Sequence, residues 1–356
     1  SAGGLINTTS DSNSQGTGMR LCKAHASDPY YFYAHRNFWG SPQYNGESLV
    51  LYAPGTSITK GDLVDGGSSF GYQTGDPALV WDENANKVVV FFEKVGGGNA
   101  SLGQSKGCAN VATISYSTSN PTHSWGGAVA FNTTAASSSG SLHIDGGNVS
   151  ACYDPISQKC VCIFKDPNDG GKIKGIVGTV SGTSISFGSP LTIDSSANND
   201  PSIIYDPDGQ VMVAQWGGRY VCTLTVSGTS LVKGSTGDLG LSGTLMMQKA
   251  VCYDTTNDQV IFSQNDANAS NLGKIYSIKV STTTSNSGNF LGFAQTTVSD
   301  GASVTVDVVS ATNEDQSSLT VGSKYYVQPN GTISTTAGSP SVEAGIAVSA
   351  TKILVK

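Results

Sequence analysis

A chain of 356 residues has room for one large β domain or two smaller ones. Forty-four glycines, abundant Ser and Thr, only 13% charged residues and no long stretch of helical period fit an all-β protein with many tight turns. A net charge of −7 excludes the basic footprint of a nucleic-acid binder, and the chain lacks the run of about 18 apolar residues that a membrane span needs.

Residues 1–17 are polar and rich in Gly, Ser and Asn, and read as a loose lead-in. Their start, Ser1-Ala2-Gly3-Gly4, has neither the basic nor the apolar text of a secretion signal. Predicted strands then follow at 21–26, 30–35 and 48–52, with a weak fourth at 58–64. At Asp76-Pro77-Ala78-Leu79-Val80-Trp81-Asp82 a sentence begins that recurs: an apolar strand ending in aromatic-Asp, a polar turn, then a second apolar run, here residues 87–92. It returns over 148–164, 200–216 and 248–262, with its aromatics at Trp81, Tyr153, Tyr205 and Tyr253. The steps between these aromatics are 72, 52 and 48 residues, the first lengthened by Gly/Ser-rich text at 101–107 and 133–141. Repeats of roughly 40–50 residues with about four short strands each are propeller blades.

The second blade adds strands at 111–116 and 128–131, the third at 173–180 and 184–187, the fourth at 220–226 and 231–233, and the fifth at 274–280. Ser181-Gly182-Thr183 and Ser227-Gly228-Thr229 each supply a glycine for a tight turn between third and fourth strands. The text changes at residue 289. Strands at 290–294, 302–309, 323–327, 345–350 and 352–355, with a hairpin turn at Asn330-Gly331, mark a small β domain over 289–356. The expected fold is therefore all-β: a propeller of about five four-stranded blades over 18–288, then this small C-terminal β domain.

Seven cysteines, an odd number, argue against a complete disulfide framework. Cys152 and Cys252 share one repeat phase, one residue before the aromatic, and read as thiols buried in strands. A Cys152–Cys160 disulfide across the hairpin is the alternative, and Cys160-Val161-Cys162 lacks the wider spacing of zinc ligands. The four histidines come without a metalloprotease motif, a serine elbow or a phosphate loop, so no catalytic residues are assigned.

Five residues before each repeat aromatic stands a polar residue: Asp76, Asn148, Asp200 and Gln248. If the first strand of each blade lines the central channel, these four form a polar ring at one mouth, able to hold a cation or a sugar, with Trp125 or Trp216 as an adjoining aromatic face. The competing account is turn chemistry, an Asp before Pro satisfying loop donors. Asp76 and Asp200 are also the pair that a glycosidase on a five-bladed propeller would use, although Asn148 stands at the third-blade position and no Glu shares this phase. Asp206-Pro207-Asp208-Gly209 and the run from Asp166 to Gly170 hint at calcium loops but lack the full ligand set, so hairpin turns are expected, and neither metal nor cofactor is assigned. Six N-glycosylation sequons arise by chance in a chain this rich in Asn, Ser and Thr.

The most recognisable text is C-terminal: Leu319-Thr320-Val321-Gly322-Ser323-Lys324-Tyr325-Tyr326-Val327, then Asn330-Gly331-Thr332-Ile333-Ser334-Thr335-Thr336, then residues 347–355. It resembles the terminal module of tail-fibre and tail-associated proteins of bacteriophages, marine ones especially. The aromatic-Asp blade sentence and the run 178–188 look like repeats of such proteins. The resemblance implies a virion adhesin, not an enzyme, that binds a host cell-surface glycan or other receptor. It also implies other virion proteins and further copies of the chain as partners. The alternatives are a polysaccharide-depolymerising glycosidase and a purely structural virion protein.

Overall fold

In the computed structural model each aromatic-Asp sentence folds into the two innermost strands of an antiparallel sheet. The structure describes residues 16–37, 46–65, 77–94, 106–131, 149–166, 169–196, 200–240, 250–266, 272–280, 290–297, 299, 302–328, 331–337 and 341–356. The chain divides into two compact units, Ser1–Lys279 and Val280–Lys356.

The first unit is a row of five sheets. Blade 1 contains β1 (Gly16–Lys23), β2 (Tyr30–Asn37), β3 (Gly46–Tyr52), β4 (Thr59–Lys60) and β5 (Val64–Asp65). Blade 2 contains β6 (Ala78–Asp82), β7 (Lys87–Lys94), β8 (Lys106–Ser115), β9 (Thr122–Trp125) and β10 (Val129–Ala130). Blade 3 contains β11 (Val149–Asp154), β12 (Lys159–Asp166), β13 (Lys172–Ser181), β14 (Ser184–Phe187) and β15 (Leu191–Asp194). Blade 4 contains β16 (Ser202–Asp206), β17 (Val211–Trp216), β18 (Tyr220–Ser227), β19 (Ser230–Lys233) and β20 (Gly237–Asp238). Blade 5 contains β21 (Ala250–Asp254), β22 (Gln259–Asp266) and β23 (Leu272–Ile278). Within every blade the first strand pairs with the second and the second with the third. The first strands β1, β6, β11, β16 and β21 each lie against the next. This is the all-β propeller expected from the repeat.

Continuous apolar runs make the second strands of blades 2 and 3 because both faces of these blades are buried. Along β7, Val88, Val90 and Phe92 pack against blade 1, whereas Val89 and Phe91 pack against blade 3. Along β12, Cys160, Cys162 and Phe164 face blade 2, and Val161 and Ile163 face blade 4. Each such side chain contributes about 1.5–3 kcal/mol on burial. The repeat aromatic always faces the preceding blade, and the Tyr153 hydroxyl accepts the Asn84 N–H in that blade's turn at 3.2 Å. The repeat aspartates close the turns: Asp82 accepts from Ala85 N–H (2.9 Å), Asp154 from Ile156 N–H (3.0 Å), Asp206 from Gly209 N–H (2.9 Å) and Asp254 from Thr256 N–H (2.9 Å).

The sequence reading expected one weak fourth strand per blade. In blades 1–4 that place is taken by two short strands, both paired with the third. The reading missed β9, whose text Thr122-His123-Ser124-Trp125 is too short and polar to show a period. The break falls at Gly61, Gly126, Gly188 and Gly234, whose N–H groups donate to Val50, Val111, Val177 and Thr223 carbonyls at 2.9–3.0 Å. A Cβ built on Gly61, Gly126 or Gly188 would overlap the carbonyl oxygen of Pro121, Thr183 or Thr229, each in the turn after the next blade's third strand. Two of those turns are the Ser-Gly-Thr sites: Gly182 and Gly228 adopt φ of 61° and 62° in two-residue loops, as a type II′ hairpin requires.

In the second unit β24 (Phe293–Ala294) pairs with β25 (Val306–Asp307). A further sheet holds β26 (Thr312–Asn313), β27 (Lys324–Val327), β28 (Ile333–Ser334), β29 (Glu343–Ala347) and β30 (Ile353–Val355), in the order β26-β30-β29-β27-β28. Leu319, Tyr325, Ala347 and Ile353 form its core, and buried Asn313 donates to Asp307 and accepts from Gln316. Of the expected Asn330-Gly331 turn, Asn330 lies outside the described residues and Gly331 has φ of 80°.

All seven cysteines are free thiols. Cys108, Cys160, Cys162 and Cys222 are buried, and Cys22 and Cys152 are half-buried. Burial pushes Cys22 up to about 12. Cys252 departs from the expectation and is exposed, because it lies on the face of blade 5 turned away from blade 4. Cys152, at the same phase, packs against the next blade instead.

Two predictions follow from this packing. Gly188→Ala should lower stability by about 1–3 kcal/mol in urea unfolding, more than Gly182→Ala, because only Gly188 has a carbonyl where the methyl must go. Equal losses would show that backbone approach is not the constraint. Thiol titration of the native protein should register Cys252 at once and the other six only after denaturation without reductant; disulfide protection in the denatured sample would overturn this.

Candidate functional site

Because the first strand of every blade runs the same way, the connections sort onto two ends. At the end where β6, β11, β16 and β21 finish, the connections between strands within each blade are six residues or shorter. At the end where they begin lie the strand ends that border 66–77, 131–148, 195–201 and 239–249, and those that border 38–45 and 95–105. Long connections on one end of a rigid β scaffold are where such folds carry recognition and chemistry.

Asp200 stands at that end, two residues before β16, with φ of 53°. A left-handed backbone is unusual for a residue that precedes proline, and strain of this kind clusters at functional sites. Two residues beyond Pro201, the Ile203 N–H donates to Ser150 Oγ of the neighbouring innermost strand at 3.1 Å. Asp76, Asn148 and Gln248, the other members of the expected polar ring, lie outside the described residues.

Three carboxylates at this end are held by lysine or arginine. Lys174 Nζ donates to Asp166 and Asp169, both at 2.8 Å, and Lys172 Nζ donates to Asp169 at 2.8 Å. These hydrogen bonds from Lys172 and Lys174 hold the Asp169 carboxyl down at about 2. Two lysine ammonium groups thus occupy the Asp166 and Asp169 carboxylates. Arg219 grips Asp238 with two hydrogen bonds, which hold that carboxyl at about 2. Asp206 belongs to the opposite end, where it caps its own turn. Among the described residues no three His, Cys, Asp or Glu side chains gather as a metal cluster.

Neither tryptophan named beside the ring offers a free face. Trp216 is 1% exposed, donates from Nε1 to Asp194 at 2.6 Å and lies beneath Lys233, whose Nζ is 5.6 Å from the ring centroid. Trp125 is half-buried between blades 1 and 2, edge-on to Phe32 and His123. Sequence composition could not reveal this, because the seam that covers each ring is made by another blade.

The three described histidines sit in contacts of the first two blades. His25 Nδ1 accepts the Asp28 N–H at 2.9 Å, and His35 Nε2 lies 3.1 Å from Glu47 Oε2 inside blade 1. His123 reaches across from β9 to Ser48 Oγ at 3.0 Å and packs edge-on to Phe32. Its burial lowers its pKa to about 4. His143 lies outside the described residues.

No family model matches the chain, and no curated protein matches it. Among solved structures it is similar to a periplasmic gluconolactonase from Pseudomonas aeruginosa, at 15% identity and a TM-score of 0.47, covering 93% of this chain and 87% of that one. It is similar to an exo-β-1,3-galactanase from Phanerochaete chrysosporium, at 10% identity and 0.43, covering 94% and 70%. It is also similar to a sialidase from Trypanosoma rangeli, at 9% and 0.45, covering 74% of this chain and 47% of that one.

His123 sets a pH dependence. Unfolded, its imidazole takes a proton near pH 6.5; folded, it stays neutral down to about 4. Between these values the unfolded chain binds more protons, so this contribution to stability is present above pH 6.5 and is lost as pH falls through the window. At about 1.4 kcal/mol per pH unit the loss reaches roughly 3 kcal/mol. Urea unfolding of wild type and His123→Gln at pH 7, 5.5 and 4.5 should show a shallower acid loss in the variant, and parallel curves would refute the assignment.

Proposed function

We propose that the first unit is a carbohydrate-directed propeller whose working surface is the end reached by the long connections. The observation that carries this reading is Asp200, a carboxylate in a left-handed backbone at the start of an innermost strand, on the end that receives connections such as 66–77 and 131–148. Sugar hydroxyls both donate to carboxylates and accept from amides, so Asp76, Asn148, Asp200 and Gln248 make a chemically apt set for a saccharide.

Within that class, hydrolysis of a glycosidic bond is the reading we favour, with Asp76 and Asp200 as the carboxylate pair. One would protonate the leaving oxygen while the other would act as base or nucleophile.

The second reading is the adhesin of a phage particle, which binds a host glycan without cutting it. The text of the second unit, Leu319 to Val327 and 347–355, favours it, and assembly with further copies and other virion proteins would follow.

Incubation with bacterial and algal polysaccharides separates the two. Release of reducing ends, reduced at least 100-fold in Asp200→Asn and in Asp76→Asn while both variants stay folded, supports the hydrolase. Saturable binding without release supports the adhesin, and neither outcome sinks both.

A further inference from the structure

Blades fan outward from the axis, so the gap between neighbouring sheets widens toward their outer strands, and something must fill each seam. At the seam between blades 3 and 4, Lys233 fills it: its ammonium donates to the Ile193 carbonyl of blade 3 at 2.8 Å, and Leu231 meets Gly175. The residue at the equivalent register in blade 3 is Phe187, paired with Gly178 as Lys233 is paired with Leu224. Phe187 does not bridge to blade 2 by any polar group. Its ring packs at 5.4 Å from Phe131 and 6.3 Å from Phe91.

The result is a cleft of about 610 Å³ between the outer strands of blades 2 and 3. That volume lies within the roughly 300–1,000 Å³ of small-molecule sites. Phe131 and Phe164, whose ring centroids are 5.0 Å apart, form its floor, with the half-buried Phe187 beside them. Val129 narrows the blade 2 side. At the other end stand Lys174 and the 1%-exposed Asp166, joined at 2.8 Å.

We propose that this cleft is a second ligand site, which takes a neutral sugar residue. Aromatic rings suit the C–H faces of a pyranose, and the polar end suits its hydroxyls. A neutral ligand fits because the local charges cancel: two lysines, 172 and 174, face two aspartates, 166 and 169, in one bonded group. An anionic or cationic ligand would find no unsatisfied counter-charge in that group, whereas a hydroxyl can both donate to a carboxylate and accept from an ammonium. The cleft shares no lining residue with Asp200 and needs no cleavage, so it extends saccharide recognition beyond the mouth.

The test titrates the full chain with neutral gluco-, galacto- and manno-oligosaccharides, with sialyllactose as the charged control. Binding is read by calorimetry and by shifts of phenylalanine ring resonances. Saturable binding of at least one neutral probe, with shifts at Phe131, Phe164 and Phe187, is expected. Val129→Trp, which fills the cleft, and Phe187→Ala, which removes its ring, should each weaken binding at least tenfold. Absence of saturable binding by every neutral probe, ring shifts elsewhere in wild type, or retention of affinity in both folded variants would overturn the proposal. Loss of polysaccharide cleavage in Asp200→Asn with intact cleft binding would separate the two sites.

Discussion

The structure depends on one constraint: blades 2 and 3 are each covered on both faces by their neighbours. A β-strand sends alternate side chains to opposite faces, so a half-exposed strand would alternate apolar and polar. Here the second strands do not alternate. Val88 to Phe92 is unbroken because each successive residue meets a different blade. The same demand admits thiols at Cys160 and Cys162, which behave as small apolar groups between sheets, and it raises both far from ionisation. It also explains the repeat aromatic. A ring one residue before the turn reaches the preceding blade, and for Tyr153 its hydroxyl ends on that blade's turn.

Away from the axis the constraint changes character. Flat sheets that meet closely near their first strands must separate at their fourth, and the chain answers by breaking the outer strand. The glycines at the breaks let the next blade's turn come into backbone contact, which ties adjacent rims without side chains. What remains of each gap is then filled by whatever residues the outer strands carry. Lys233 does so by spanning, and Phe187 by packing, which leaves the cleft beside it. The seams share a backbone plan and differ in their filling, which gives each one its own surface chemistry.

The two ends of the propeller divide the acidic residues by task. At the short-turn end, Asp82, Asp154, Asp206 and Asp254 each take up N–H groups of their own turns. A carboxylate used in that way is fixed by local geometry and has little freedom to serve a ligand. At the long-connection end, the aspartates of blades 3 and 4 are joined to Lys, Arg or Trp side chains that hold the ends of β12, β15 and β20. Asp200 differs from both groups in its left-handed backbone.

Period and composition alone determined the class of fold. Apolar runs that end in aromatic-Asp at steps near 50 residues specify blades, because a strand-turn-strand unit of that length cannot cover itself and must be repeated. The same text determined the Ser-Gly-Thr turns, since a two-residue hairpin loop with a left-handed first position calls for glycine. Tertiary structure decided the rest, wherever the deciding partner is distant in the chain. The split fourth strands depend on glycines that meet carbonyls 41 to 60 residues away and leave no local period to read. Trp216 and Trp125 were aromatic candidates in the sequence and are seam fillers in space, because Asp194, Lys233, Phe32 and His123 come to them from other strands. Cys152 and Cys252 carry one phase and opposite fates, since burial belongs to the neighbouring blade and not to the residue. The cleft at Phe187 has the same origin: the width of a seam is a property of two sheets, and a single strand of sequence holds only one side of it.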